Sequence, residues 1–222
     1  MDDRACEHVD ASGWTLKQVN EYLAEASHRP FKLDQDSPLR ITLLSRAEDE
    51  HFLLLTVHHI ASDLWSLLVL MDELRAQGTQ EQVSSLPHSY ATYVKWQRDM
   101  LASAEGERLW EYWRDKLTAK TDQLPVLDLP TDYARPPIQT YHGASHAFKL
   151  DKSLSERLKQ LAQANGATLY MTLLAAFQAF LHRYSGQEDI LVGSPMASRS
   201  RREFEPLVGH FVNTVVLRAD LS

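Results

Sequence analysis

Two adjacent histidines and an aspartate stand close together in the sequence VHHIASDLWS, residues 57–66. His58 and His59 are neighbours, and Asp63 follows the second histidine by four residues. An imidazole can take up and return a proton near neutral pH, and a nearby carboxylate can hold such a site in place. The spacing therefore makes proton-transfer or proton-positioning chemistry a hypothesis, with His59, His58 and Asp63 as the catalytic candidates.

Three other interpretations of this motif compete with catalysis by a histidine. Side chains next to each other on a strand point to opposite faces, so His58 and His59 cannot easily bind one metal ion. Both could instead be ordinary core histidines with satisfied hydrogen bonds. Ser62 and Ser66 could suggest a serine nucleophile, but neither lies in a Gly-x-Ser-x-Gly turn. We expect no metal site, and one histidine rather than two in any catalytic role.

The motif lies between a predicted strand and a predicted helix. Residues 52–59 are apolar on both faces, which predicts a strand buried in the middle of a sheet. Residues 64–76 carry an apolar stripe at helical spacing. Upstream, residues 15–27 predict a helix and residues 39–45 another strand.

Helices and strands continue to alternate downstream, which predicts the α/β class. Four prolines within residues 118–141 exclude a long helix or a central strand there, so this stretch is interpreted as a connection between two lobes. Ser153 with Glu156 forms a capping box for one helix, and Thr168 caps the next. The predicted elements are helices near 89–103 and 105–117, a strand at 144–150, helices ending near 165 and 184, and strands at 189–194 and 211–217.

Composition limits the classes of function. The chain has 222 residues and a formal net charge of −7, which disfavours nucleic-acid binding. Cys6 is the only cysteine, so an internal disulfide is impossible. No apolar run is long enough for a membrane span, and the acidic beginning is unlike a signal peptide. We expect a soluble cytoplasmic protein that binds neither nucleic acid nor membrane.

Four sequence stretches together resemble the condensation domains of nonribosomal peptide synthetases. Residues 57–66 are similar to the HHxxxDG motif of these domains and of their chloramphenicol-acetyltransferase-like relatives. The other three stretches are SYATYVKWQ (89–97), LPTDYARPPIQTYHGA (129–144) and VGHFVNTVVLR (208–218), in the family's order and at about its spacing. The resemblance implies a two-lobed chloramphenicol-acetyltransferase-like fold with mixed sheets flanked by helices.

The resemblance also implies how the chain divides. Residues 1–117 correspond to the latter part of an N-terminal lobe, 118–141 to the inter-lobe connection and 142–222 to the first part of a C-terminal lobe. Motifs that the family carries before and after this stretch are missing, so we expect an incomplete fold that does not catalyse condensation by itself. Leu64 stands where the family usually has glycine, and it either narrows the substrate channel or only supplies a backbone N–H.

Family members form an amide between two thioester-bound units, and this is the activity that the resemblance implies. Donor and acceptor carrier domains of neighbouring synthetase modules bring these units on 4′-phosphopantetheine arms, and no cofactor is bound directly. By the same resemblance, His59 orients or deprotonates the acceptor amine. Asp63 is expected to be structural, buried and paired with an arginine, for which Arg135 is favoured.

Several supporting roles and alternative functions stay open. Ser66 and Asn213 are candidates for substrate binding or structural support, and the aromatic residues Tyr90, Tyr93 and Trp96 are expected to be packing residues. The alternative functions are an ester-forming carrier- or CoA-dependent acyltransferase and an inactive or carrier-recruiting condensation-like module.

Overall fold

The computed structural model describes residues 6–79, 86–118, 124–140 and 143–222. The chain forms two compact units: the first comprises Met1–Gly106 and Met196–Asn213, the second Glu107–Pro195 and Thr214–Ser222. A downstream segment thus returns to the unit that carries the histidine motif. The lobe ranges 1–117, 118–141 and 142–222 remain an expectation.

The first unit contains a three-stranded sheet in the order β1-β2-β3. β1 is parallel to β2, and β2 is antiparallel to β3. The strands are β1 (Cys6–Asp10), β2 (Leu39–Ala47) and β3 (Glu50–Val57). β1 was not predicted from the sequence, because its five residues, CEHVD, are largely polar and exposed.

The prediction that the strand before the histidines lies in the middle of a sheet is wrong. β3 pairs with β2 and, within the described residues, forms an edge of this sheet. Its side chains alternate between exposed and half-buried positions at first, and Leu53 is 50% exposed. Apolar residues on both faces predict that a segment forms a strand. They do not determine which strands pair with it, because that depends on the tertiary structure.

Three helices of the first unit agree with the sequence patterns, and polar residues cap each of them. They are α1 (Leu16–His28), α2 (Leu64–Gly78) and α3 (Tyr90–Leu101). Thr15 and Ser89 form capping boxes for α1 and α3, which satisfy backbone N–H groups that have no partner inside a helix. Val19 of α1 packs with Ala11 and Leu44 in a small core beside the sheet.

The second unit combines helices with a two-stranded sheet. Its elements are α4 (Ala104–Thr118), whose first turn belongs to the first unit, α5 (Lys152–Ala164), α6 (Leu169–Ser185), β4 (Asp189–Met196) and β5 (Asn213–Asp220). Arg218 of β5 pairs with Asp189 of β4 at 2.5 Å and donates to the Leu117 carbonyl at 2.7 Å. These bonds join the end of α4 to the sheet.

Two local predictions in the second unit are wrong. Residues 143–150 are exposed and form no strand, because a strand requires a backbone partner and an alternating sequence does not supply one. α5 is capped by Asp151, whose side chain accepts from Leu154 N–H at 2.8 Å, and not by Ser153. The helix therefore begins one residue before the expected capping box. Thr168 caps α6 as predicted.

Candidate functional site

The two histidines lie in a tight turn directly after β3. The strand ends at Val57, two residues earlier than predicted, and Ala61 N–H donates to the His58 carbonyl at 2.9 Å to close the turn. The His58 ring meets the Phe31 ring edge-on at 5.7 Å, and its Nδ1 accepts from Ile60 N–H at 3.1 Å. The turn, rather than strand alternation, gives the two imidazoles separate surroundings.

His59 is exposed, and one of its ring nitrogens is committed to the backbone. Nδ1 lies 2.7 Å from the carbonyl oxygen of Ser62. A carbonyl oxygen can only accept, so Nδ1 carries the proton and the neutral ring keeps its lone pair on Nε2. The neighbouring turn therefore selects the tautomer in which Nε2 is the proton acceptor.

Asp63 is buried, with 2% of the residue exposed, and it caps α2. Oδ1 accepts from Ser66 N–H and lies 2.8 Å from Ser66 Oγ, while Oδ2 accepts from Phe211 N–H at 3.0 Å. Arg199 Nη2 approaches Oδ1 to 3.2 Å. Burial raises the pKa of this carboxyl, but the bonds from Ser66 and Phe211 and the Arg199 charge outweigh it, so the pKa lies below its ordinary value.

The arginine partner of Asp63 is Arg199, and the sequence-based choice of Arg135 is wrong. The Arg199 side chain is buried and follows β4, whereas Arg135 is exposed in the stretch 124–140, which has no helix or strand. The two residues of the pair are separated by 136 positions in the chain. By its charge, either arginine could pair with Asp63. Arg199 is the partner because residues 196–213 return to the first unit, which contains Asp63.

Arg199 also holds the segment that follows it. Nη1 donates to the carbonyls of Phe204 at 2.6 Å and Leu207 at 2.8 Å, and Nη2 donates to Ser66 Oγ at 2.7 Å. Its guanidinium carbon lies 3.7 Å from the centre of the Phe211 ring, within range of a cation–π contact. One buried cation therefore links the cap of α2 to residues 204–211.

Ser66 is fully buried, and its hydroxyl is surrounded by polar partners. Oγ lies 2.8 Å from the Gly209 carbonyl oxygen and accepts from Gly209 N–H at 3.0 Å. With Asp63 and Arg199 also bonded to Oγ, the hydroxyl connects α2 to the segment 208–211. This geometry favours structural support for Ser66 over nucleophilic chemistry.

Gly209 allows α3 to approach this segment closely. A Cβ at this position would lie 2.2 Å from Cδ2 of Tyr90, a distance that no real contact permits. The Tyr90 hydroxyl donates to the His210 carbonyl at 2.6 Å. Burial, followed by the Asp63 charge, raises the pKa of Tyr90, so the phenol keeps its proton and remains a donor.

An aromatic cluster lies beneath the same segment. Tyr93, Phe204, Leu207 and Phe211 are buried together, and Trp96 packs against them. The rings of Tyr93 and Phe211 are 4.5 Å apart between centroids. The expectation that Tyr93 and Trp96 are packing residues agrees with these contacts, whereas Tyr90 adds a hydrogen bond to its packing role.

His210 was not singled out from the sequence, although it lies in the stretch 208–218. Its Nδ1 is 2.7 Å from the His59 carbonyl oxygen, and the two imidazoles meet at 5.0 Å between centroids with an interplanar angle of 73°. In the sequence, the signal that could have pointed to His210 is its position between Gly209 and Phe211, inside the stretch 208–218 that resembles a family motif.

The remaining sequence candidates lie outside this set of contacts. Asn213 is exposed at the first position of β5. Leu64 is 72% exposed at the first position of α2, immediately after the Asp63 cap. Among the described residues, no group of three or more His, Cys, Asp or Glu side chains could hold a metal ion.

No single helix in the described part of the chain is long and apolar enough to cross a membrane. The pair α5 and α6, bent by 103°, meets the criterion jointly, by length and composition alone.

The fold and this site define a protein of the chloramphenicol-acetyltransferase-like class, as its structural neighbours show. The family model for the condensation domain matches residues 3–222, so the chain belongs to the condensation domain family. The X-domain from teicoplanin biosynthesis covers 98% of this chain at 28% identity with a TM-score of 0.83, and the chain spans 49% of that structure. A complex of the X-domain and OxyB gives 29% identity and a TM-score of 0.80.

Curated relatives belong to nonribosomal peptide synthetases. A linear gramicidin synthase protein of Brevibacillus parabrevis is 49% identical over 202 residues, which is 87% of this chain and 4% of that protein. Surfactin synthase subunit 1 of Bacillus subtilis is 43% identical over 204 residues, which is 92% of this chain and 6% of that protein. The chain therefore spans a small fraction of the relatives that it matches.

Proposed function

We propose that this chain is part of a condensation domain that forms an amide between two carrier-bound thioester substrates. The observation that supports this most is the state of His59. Its ring is exposed, and the Ser62 carbonyl leaves Nε2 as the acceptor atom. An exposed proton acceptor on a turn braced by buried contacts is suited to meeting an incoming amine.

The proposed reaction uses this chain's residues in defined ways. The acceptor amine attacks the thioester carbonyl carbon, a C–N bond forms, and the C–S bond breaks. The surplus proton of the amine passes to Nε2 of His59 and then to the departing thiolate. If the amine arrives neutral, the same Nε2 orients it by a hydrogen bond, and positioning becomes the main contribution. Both roles require Nε2 of His59 to be held in a fixed position.

The buried pair of Asp63 and Arg199 supplies the support for that atom. It caps α2 and binds the segment 204–211, which in turn contacts the His59 backbone. We assign these residues to positioning rather than to contact with substrate. Donor and acceptor carrier domains with 4′-phosphopantetheine arms are the partners that this function requires, and the arms arrive with the substrates.

The test uses a hybrid synthase, defined as surfactin synthase subunit 1 in which the aligned part of this chain, 92% of it, replaces the segment that it matches. With loaded donor and acceptor carriers, His59→Ala is expected to lower dipeptidyl product at least about tenfold, since a positioned base contributes about 10²–10⁴-fold. His58→Ala is the matched control and is expected to act through stability. A folded His59→Ala enzyme with full activity would refute the catalytic assignment.

Two other functions have specific support and separate outcomes. An ester-forming acyltransferase could use the same imidazole, and a carrier with a hydroxyl acceptor in place of the amine distinguishes it by its product. A recruiting module is suggested by the likeness to the X-domain, which is found in a complex with OxyB. Binding of carriers without any product, unchanged by His59→Ala, would favour that function.

A further inference from the structure

Three consecutive residues beside the histidine turn have their backbones fixed by buried or aromatic partners. Gly209 N–H donates to Ser66 Oγ at 3.0 Å, and Phe211 N–H donates to Asp63 Oδ2 at 3.0 Å. Between them, the His210 carbonyl accepts from the Tyr90 hydroxyl at 2.6 Å. The main chain that carries the His210 imidazole is therefore held on both sides and at its own carbonyl.

From this fixed main chain, the His210 side chain reaches the turn that carries His59. Its Nδ1 lies 2.7 Å from the His59 carbonyl oxygen, so Nδ1 is the protonated nitrogen and donates. Its ring stands edge-to-face with the His59 ring at 5.0 Å. The imidazole thus holds the His59 main chain and also limits the space in which the His59 ring can rotate.

His59 has few other restraints of its own. It lies after the last residue of β3, its side chain is exposed, and its ring hydrogen bond is made to Ser62 within the same turn. If the His59 backbone shifted, the bond from its ring to Ser62 would open and Nε2 would be displaced. His58 N–H donates to the Pro38 carbonyl at 2.8 Å and anchors the start of the turn. The contact from His210 anchors His59 itself to a residue outside the turn.

We propose that His210 is a positioning residue for His59: it fixes the His59 main chain through Nδ1–H and confines the His59 imidazole by ring contact. This inference rests on the proposed function of His59. It concerns a residue of the VGHFVNT stretch whose side chain has no part in the buried Asp63–Arg199 pair. Misplacement of a reacting group by about 1 Å can cost about 10²-fold in rate, so a modest displacement is enough to matter.

Three substitutions separate the two parts of this role. His210→Asn retains a side-chain N–H donor at a reach similar to that of Nδ1. His210→Phe retains an aromatic ring and loses the donor. His210→Ala loses both. If the hydrogen bond dominates, Asn preserves function and Phe does not, which is the reverse of the order expected if His210 only fills space.

The first experiment measures the His59 tautomer in the 222-residue chain by imidazole ¹⁵N shifts, with the signal assigned by its loss in His59→Gln. The wild-type chain is expected to show Nδ1–H and an unprotonated Nε2 in the neutral ring. His210→Asn should keep this pattern, while His210→Ala should shift it towards the tautomer mixture of an exposed histidine. Unchanged His59 shifts in both His210→Ala and His210→Phe would overturn the positioning role, and this measurement needs no turnover.

The second experiment measures kcat and KM in the hybrid synthase. His210→Phe and His210→Ala are expected to lower kcat about tenfold with little change in KM for the loaded acceptor carrier, and His210→Asn should recover most of the loss. Wild-type activity of His210→Phe alone would refute the hydrogen-bond part of the role. Wild-type activity of both His210→Phe and His210→Ala, with His59→Ala inactive, would refute this inference while leaving the proposed function standing. Full activity of His59→Ala would instead refute the proposed function.

Discussion

Asp63 joins three roles in one buried carboxylate: helix cap, hydrogen-bond acceptor for Phe211 N–H and ion-pair partner of Arg199. Removing one partner of a buried ion pair leaves the other charged group without compensation in a poorly solvated place. A change at Asp63 is therefore expected to act on folding before it acts on catalysis.

We predict that Asp63→Ala lowers the free energy of unfolding by about 3–5 kcal/mol, the usual cost of breaking a buried pair. Chemical denaturation followed by circular dichroism measures it. Asp99→Ala is the matched control, because Asp99 pairs with Lys95 on an exposed helix surface and its loss should change stability little. Similar effects of the two substitutions would contradict a structural role for Asp63.

The pKa of Asp63 predicts how this contribution depends on pH. A carboxyl whose folded-state pKa is lowered stabilises the fold above its unfolded-state pKa, about 3.9, and loses that contribution as pH falls through the folded-state value. The stability difference between wild type and Asp63→Asn should be constant above about pH 5 and shrink below about pH 4. A difference that stayed constant down to about pH 2 would show that the charge contributes nothing.

At the scale of elements, α3 and the segment 208–211 depend on a glycine. Tyr90 of α3 both contacts Gly209 and bonds to the His210 carbonyl, so the helix and the segment are matched in shape as well as in hydrogen bonding. A side chain at position 209 would push the segment away from α3. It would also weaken the bonds that Gly209 makes to Ser66.

We predict that Gly209→Ala destabilises the protein by about 1–3 kcal/mol, as overpacking of a tight contact does. Gly78→Ala is the control, because a Cβ at the end of α2 meets no atom within 4 Å. Thermal unfolding compares the two. The double variant Gly209→Ala/Tyr90→Ala should lose less than the sum of the single losses, because removing the ring relieves the clash. Additive losses of stability would contradict a close contact between residue 209 and Tyr90.

At the scale of the whole molecule, much apolar surface is uncovered. One stripe of α6 contains Leu173, Phe177, Phe180 and Tyr184 at helical spacing, and all four are exposed by 43–59%. Solitary exposed apolar residues are ordinary, but a contiguous stripe favours association or ligand binding.

We predict that the 222-residue chain enhances the fluorescence of an apolar dye and sediments with a concentration-dependent size. Phe177→Glu should weaken both effects by placing a charge in the middle of the stripe. Ala179→Glu is the control, since it adds the same charge to an exposed position of α6 outside the stripe. Equal dye binding and sedimentation of the two variants would rule out the stripe as the cause.

Local order in this protein was largely readable from the amino-acid sequence. Helical spacing predicted α1 and the Thr168 cap predicted α6, because the stabilising contacts of a helix lie within a few positions along the chain. The VHHIASDLWS motif and the stretch 208–218 led to the condensation family, which the family model confirms over residues 3–222. The expectation that Asp63 is buried and bound to an arginine agrees with the structure.

Long-range pairing was decided by the tertiary structure alone. Among the described strands, β3 lies at an edge because of which neighbours pair with it. The choice of Arg199 over Arg135 and the contact between His210 and His59 each join residues far apart in the chain. The residue types in the sequence show which charged and polar groups could form pairs. Which ones do pair follows from the return of residues 196–213 to the first unit, where the buried Asp63 carboxylate requires a cation and N–H donors and Arg199 and Phe211 supply them.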